Sequence, residues 1–423
     1  METSNPSNFN SLRKPKVAVV GCAARNTADL NCMAAPRKYR KLGDFHKYYS
    51  GEAIAPVLTL VIGGNHEASN YLFELYHGGW LAPNIYYLGA AGVIRYGPWR
   101  IAGMSGIYKQ QLDYLKPHHE RLPYKPDQIR SIYHVRENNV QRLLQIRSQV
   151  DIGLSHDWPT WVELFGDHAS LFATKPAFFS SAKIDNLGSK PAAEVMNHLR
   201  PPYWFSGHMH IRFNATVEYK NNMSLEESVK ALPVPEKIRE SLPVFQAQPE
   251  SHTSSSLTTS SLKPAGSQPK TEFLGLHKPS AHARLFMELR ELELPARPNT
   301  DDARFSIPND EGKFSLYYDE EWLAITRAYA DTLRLGDPKA PVVRPAESRR
   351  SASASLPQHR SWVKANIVNK DLLKVPEHFT THAPVHYPDV PETFKQPAEY
   401  PNQQTARFTE LLQIHNHLQL AWF

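Results

Sequence analysis

Three short stretches carry residue types and spacings that could do chemistry. In "GGNHE" (63–67), Gly63 and Gly64 let the backbone turn tightly ahead of Asn65, His66 and Glu67. Asn65 offers a neutral amide oxygen, and His66 an imidazole that can give or take a proton near neutral pH. "LSHDWP" (154–159) places His156 at the end of an apolar run. "GHMH" (207–210) spaces His208 and His210 by two, which in extended backbone turns both rings to the same side and within reach of one metal cluster. Any one of these could be an ordinary turn or a structural histidine. Together, each after an apolar run and in the order Asn-His, His, His-x-His, they point to metal-dependent phosphoester hydrolysis. In that chemistry an amide oxygen ligates metal while the neighbouring imidazole faces the phosphate.

The elements that must position these residues follow an α/β rhythm. Apolar runs at 56–64, 84–89, 151–156 and 203–208 end in Gly or polar residues, as buried strands do when they deliver side chains at their C-terminal ends. "VIRYGPWRIAGMSG" (93–106) reads as a hairpin turning at Gly97-Pro98. Ile129, Ile132, Val140, Leu143 and Leu144 recur at roughly helical spacing, which predicts a helix over 127–148 capped by Asp127. The first strand, Val17–Val20, ends in Gly21-Cys22. After residue 221 the composition shifts, and 251–270 is low-complexity. Residues 271–278 and 283–292 read as two strands rejoining the first domain, and the second half of 314–335 as a helix. The expected organisation is a disordered N-terminus (1–15), a main domain (16–220), a low-complexity insertion (221–270), a smaller domain (271–335) and a largely disordered Pro-rich tail (336–423).

The chain has 423 residues, ample for a buried core, and 41% of them are hydrophobic. Thirty-four prolines and a mean hydropathy of −0.49 say that part of it lies outside that core. A formal charge of +6 suits a polyanionic partner. Two cysteines, Cys22 and Cys32, make no disulfide framework and suggest a reducing compartment. The N-terminus has no apolar stretch of a secretory leader, and no run of about eighteen apolar residues suggests a membrane span.

The three motifs together resemble the calcineurin-like metallophosphoesterase superfamily. The segments 31–52, 55–109, 130–140 and 316–329 narrow the likeness to RNA lariat debranching enzymes. This resemblance implies an α/β fold, a metallophosphoesterase β-sandwich flanked by helices, with a smaller C-terminal domain and disordered linkers. It implies hydrolysis of the 2′,5′-phosphodiester at the branch point of excised intron lariats, in the nucleus, with divalent Fe, Zn or Mn. Cys22, Asn65, His156, His208 and His210 would be metal ligands, His66 the acid that protonates the leaving oxygen, and Glu67 its support. One part of the family pattern is missing. Ala24 stands where relatives carry a His, and the following helix and strand, which end in a metal-bridging Gly-Asp, are absent. Asp29 and Asp44 are poor substitutes by position. The chain is therefore expected to be impaired as an enzyme. The alternatives are a branched-RNA-binding pseudoenzyme and a general metallophosphoesterase or phosphatase.

Between 107 and 136, Tyr108, Tyr114, Tyr124 and Tyr133 interleave with Lys109, Lys116, Arg121, Lys125, Arg130 and Arg136. Aromatic faces stack unpaired bases while cations follow phosphates, which suits branched, single-stranded RNA. By the resemblance this segment recognises the lariat branch. The sequence identifies no protein partner. "ESRRSASAS" (347–355) reads as a linker, and Cys32 as structural.

Overall fold

The computed structural model describes residues 23–109, 113–219, 223–246, 268–278, 290–293, 295, 305, 307–309, 312–340, 342 and 345–418. The Val17–Val20 strand, Cys22, the N-terminus 1–15, most of the low-complexity stretch (251–267) and residues 283–289 lie outside them. The ten strands among the described residues are β1 (Thr59–Val61), β2 (Gly79–Ala82), β3 (Ile85–Tyr87), β4 (Ala91–Tyr96), β5 (Trp99–Met104), β6 (Ile152–Ser155), β7 (Tyr203–Ser206), β8 (Phe213–Glu218), β9 (Lys270–Gly275) and β10 (Leu316–Tyr318). They form a mixed α/β architecture. The chain divides into two compact units, Met1–Gln145 with Leu289–Phe423, and Ile146–Glu288. This division cuts the expected 16–220 domain after Gln145. It also splits the expected 271–335 domain, sending β9 to the second unit and β10 to the first.

In the first unit β1 pairs in parallel with β3, and β2 lies antiparallel on the other side of β3. β4 and β5 form the expected hairpin, with Tyr96 opposite Trp99. Gly97 makes the turn at φ 55°, and a Cβ there would stand 2.9 Å from the Phe314 ring. β10 pairs with β4, so residues far apart in sequence complete this ladder. Arg100, wholly buried, joins the two segments by bonding Asp319 Oδ1 at 2.7 Å and Glu321 Oε2 at 3.0 Å. In the second unit β6 pairs with β7 and β7 with β9, both in parallel, and β8 closes the order antiparallel to β9.

The helix expected over 127–148 is two short helices, Gln128–Ser131 and Glu137–Leu143. They part because 133–135 is used for pairing instead: Val135 N–H donates to the Ile107 carbonyl at 2.9 Å, and Ile107 N–H to the Tyr133 carbonyl at 3.3 Å. Asp127 occupies the cap position but its side chain makes no cap hydrogen bond. Residues 223–246, expected within the insertion, form three short helices, the first closed by a Ser224–Glu227 capping box.

The expected disordered tail is ordered across 345–418. A helix runs over Pro345–Asn366, with Ala352, Leu356, Val363 and Ile367 of this segment buried. It packs on the helix Glu320–Ala328, where Arg360 pairs with Glu321 at 2.6 Å and the Arg327 guanidinium lies 4.1 Å from the Trp362 ring centre. Residues 376–402 then cross the first unit as an irregular strap. Prolines leave such a segment short of ladder donors, so side chains supply its bonds. Tyr49 Oη accepts from the His382 and Ala383 N–H groups at 3.0 and 2.9 Å, and Trp80 Nε1–H donates to the Pro376 carbonyl at 2.8 Å.

Arg25 lies at the centre of this unit, fully buried. It donates to Asp29 Oδ2 at 2.8 Å and to both Glu74 oxygens at 2.9 and 3.0 Å, and lies 4.2 Å from the Tyr71 ring centre. Burial works against its charge, and Glu74 and Asp29 outweigh that cost, so its pKa is raised. Glu74 in turn meets His382 Nε2 at 2.7 Å. Arg25→Ala would strand two carboxylates, and we expect a loss of about 3–5 kcal/mol. The shift in urea midpoint measures it, and Arg25→Lys, which lacks the planar fork, is expected to recover only part.

Candidate metal and RNA site

In the first unit the motif turn is tied to the end of β5. Gly63 N–H donates to Ser105 Oγ at 3.0 Å, and the Gly63 carbonyl accepts from Gly106 N–H at 2.9 Å. Gly106 has φ 91°, and a Cβ there would stand 2.1 Å from the Tyr133 carbonyl oxygen. Only glycine fits that close passage between the turn and the 133–135 segment. At the turn His66 is exposed, Asn65 half-buried and Glu67 buried. Glu67 Oε2 accepts the Ala23 N–H at 3.1 Å, so this carboxylate fixes the chain immediately after Cys22. An open cavity of about 520 Å³ adjoins Gly63 and Gly64, with Tyr76, Tyr87, Tyr133 and His134 among its walls.

In the second unit the ends of β6 and β7 are locked by Ser155 and Ser206, whose hydroxyls meet at 2.9 Å under the Trp204 indole N–H. His156 and His208 follow directly. Gly207 N–H donates to the His156 carbonyl at 3.1 Å, and His208 Nδ1 stands 3.1 Å from His156 Nε2. Asp157 Oδ1 lies 3.8 Å from His208 Nε2. The backbone at "GHMH" is not extended as the sequence argument supposed. His208 and His210 both have left-handed conformations, φ 61° and 52°, so their spacing of two does not by itself align their rings. His210 is exposed.

The donor set can be tested against a cation. Two imidazole nitrogens bound tetrahedrally to one ion at about 2.0–2.1 Å stand about 3.3 Å apart. The 3.1 Å between His156 and His208 fits that arrangement. The carboxylates nearest the missing motif do not offer a bridge. Asp29 is fully buried between Arg25 and Asn70 Nδ2, at 2.8 and 2.6 Å, and Asp44 points to solvent beside Lys47 at 3.0 Å. Among the described residues no group of three or more His, Cys, Asp or Glu side chains is gathered so as to hold a metal ion.

The expected RNA-contacting residues fall into two sets. Lys109, Lys116, Lys125 and Arg130 are exposed, and Tyr108 and Tyr133 half-buried, so these can meet a ligand. Arg121 is exposed but paired with Glu399 by two bonds of 3.0 and 2.9 Å. Tyr114, Tyr124 and Arg136 are buried, which corrects their assignment to RNA. Tyr114 packs edge-on against Tyr108 at 5.3 Å. Burial lifts the Tyr124 phenol well above its usual pKa, as expected of a core group. Arg136 bonds Glu120 Oε1 at 2.6 Å and the Asp113 and Ser131 carbonyls at 2.6 and 2.9 Å. Burial opposes the Glu120 charge, but His118 and Arg136 outweigh it and hold the carboxyl below its usual range. Burial and then Arg136 push His118 down to about 4, so at neutral pH the ring is uncharged and Arg136 carries the pairing. These bonds shape the segment from within.

Sequence reasoning missed the residues that hold this segment from outside. Gln396 Oε1 accepts the Tyr124 N–H at 2.7 Å, while Gln396 Nε2 donates to the Tyr124 carbonyl at 2.8 Å. One amide thus replaces a strand partner. His134 Nδ1 meets Asp113 Oδ2 at 2.6 Å, a further buried pairing inside the segment. Nothing in the composition of 376–402 signals such contacts; only the spacing of amides among prolines could have.

The mixed α/β architecture is consistent with the metallophosphoesterase class. Residues 268–417 match the family described as lariat debranching enzyme, C-terminal domain. The chain is 36% identical over 410 residues to the lariat debranching enzyme of Arabidopsis thaliana, covering 96% of this chain and 81% of that one. It is 36% identical over 443 residues to that of Schizosaccharomyces pombe, covering 95% and 91%. The human enzyme is 39% identical over 395 residues, covering 93% of this chain and 62% of its own length. The chain belongs to the lariat debranching enzyme family.

Gln396→Ala would free both backbone groups of Tyr124, at a cost of about 1–3 kcal/mol. Hydrogen exchange at the Tyr124 amide is expected to accelerate, with Gln396→Glu, which keeps the acceptor, falling between.

Proposed function

We propose that this chain binds branched intron lariat RNA and hydrolyses the 2′,5′-phosphodiester at its branch point, linearising the intron for turnover. The observation that carries this reading is 36% identity to a lariat debranching enzyme across 96% of the chain. His156 and His208 would hold a divalent cation, with Asn65, His210 and Cys22 as the further donors the family pattern supplies. Imidazole and amide donors suit Fe, Zn or Mn. When bound, the metal supplies Lewis acidity at the scissile phosphate. His66, exposed at the strand-end turn, gives a proton to the leaving 2′-oxygen, and Glu67 keeps that turn fixed to residue 23. Lys109, Lys116, Lys125 and Arg130 follow the phosphates, and Tyr108 and Tyr133 stack on bases. The proposed site of action is the nucleus, where introns are excised.

A second reading, a branched-RNA-binding protein that does not cut, is favoured by Ala24 at the family's histidine position and by the engagement of Asp29 with Arg25. The two readings part in one assay on the full chain, with branched RNA and a linear 3′,5′ control, each with added Mn or Fe. Hydrolysis predicts metal-stimulated loss of the branch, abolished by chelation and reduced at least tenfold in His208→Ala, equivalent to about 1.4 kcal/mol of activation free energy or more. Branch-selective binding without turnover would support the second reading. Equal handling of branched and linear RNA would sink both.

A further inference from the structure

Beside the recognition segment lies a second cleft of about 570 Å³, formed by residues 115–118, 136–141 and 332–335 of the first unit. Three cations line it: Arg136, buried and paired with Glu120 at 2.6 Å, and, from distant parts of the sequence, Lys116 and Arg334. Arg334 Nη1 donates to the backbone carbonyls of Asp331 and Leu333, both at 2.7 Å, and carbonyls leave its charge uncancelled. Lys116 has Asp113 at 3.8 Å, and that carboxylate is already engaged by His134 at 2.6 Å. The one carboxylate lining the cleft, Glu137, is buried and accepts from Gln141 at 3.4 Å. The wall also holds Asn138, whose buried Oδ1 has no hydrogen-bond partner. Such an acceptor is costly unless a donor arrives to meet it.

The two strands of this cleft are fixed to each other. Gly336 N–H donates to the His118 carbonyl at 2.7 Å, and His118 bridges to Leu335. The backbone segments that carry Lys116 and Arg334 are therefore joined two residues from each cation or closer. Two cations, Arg334 bonded only to carbonyls and Lys116 in a loose 3.8 Å pairing with Asp113, call for a phosphate, and an unpartnered amide oxygen calls for a hydroxyl donor. RNA backbone carries both in each nucleotide, and DNA lacks the 2′-hydroxyl.

We propose that this cleft is an RNA-backbone subsite for a nucleotide away from the branch, with its phosphate on Lys116 and Arg334 and its 2′-hydroxyl on Asn138. It rests on the function proposed above only in taking RNA as the ligand. The probe is a short linear oligouridine, and its oligodeoxyuridine counterpart, bound to the full chain across a salt series and followed by fluorescence anisotropy. For single strands each phosphate contact contributes about 0.7 to the slope of log affinity against log salt. Arg334→Ala and Lys116→Gln, which share one phosphate, are each expected to flatten the slope, and the double variant to flatten it by about 0.7. Asn138→Ala is expected to leave the slope and narrow the preference for RNA over DNA. Unchanged slopes in both cation variants, or no binding of the linear RNA, would overturn the subsite. A branched-to-linear affinity ratio of one, with the slope changes present, would instead overturn the debranching reading and leave the subsite standing.

Discussion

The first unit depends on one buried cation. Arg25 gathers three segments that are remote in sequence: its own turn through Asp29, the helix after the "GGNHE" turn through Glu74, and the strap through His382 on the far side of Glu74. A guanidinium without water demands compensating charge and geometry, and its planar fork satisfies both carboxylates at once. With Arg25 fixed, Ala23 is placed so that its N–H reaches Glu67. A structural ion cluster thus sets the position of the turn that presents Asn65 and His66.

The strap answers a related constraint. Proline-rich backbone cannot bond to itself as a sheet or helix does, so each carbonyl and N–H that it buries needs a side-chain partner. The strap's side chains also serve backbone elsewhere: Gln396 clamps Tyr124, and Gln404, in the helix that follows the strap, clamps Trp80 in the same way, with one amide accepting the N–H and donating to the carbonyl of a single residue. Arg121 and Glu399 add charge at the edge. The 107–136 segment is therefore shaped by a core of buried ion pairs and held by the Gln396 amide, with Lys109, Lys116 and Lys125 on its exposed side.

Strands and turns were the legible part of the fold. β1, β3, β6, β7 and the β4–β5 hairpin lie where short apolar runs end in glycine or polar residues, because burial and turn chemistry are local signals. The placement of the three motifs just after β1, β6 and β7 was legible for the same reason. What escaped were outcomes decided by distant partners. Residues 133–135 lie within a stretch of helical spacing yet pair with Ile107, and the helix 345–366 hides a sparse stripe of Ala352, Leu356 and Val363 beneath Ser, Arg and Pro. Tyr114, Tyr124 and Arg136 read as ligand contacts because interleaved aromatic and basic residues look alike whether buried or exposed. The left-handed backbone at His208 and His210 has no sequence signature, since glycine or asparagine would ordinarily mark it.

Family membership places this chain among lariat debranching enzymes, and the proposed proton donor, His66, sits on a turn fixed to residue 23 by Glu67. The most direct test is to map the bond that is cut. A branched RNA labelled separately on its 2′ arm and its 3′ arm would be incubated with the full chain and divalent metal, and the products sequenced. Release of the 2′ arm with the 3′,5′ backbone intact is the predicted result. Cleavage of the 3′,5′ linkage, or of both linkages alike, would contradict the account.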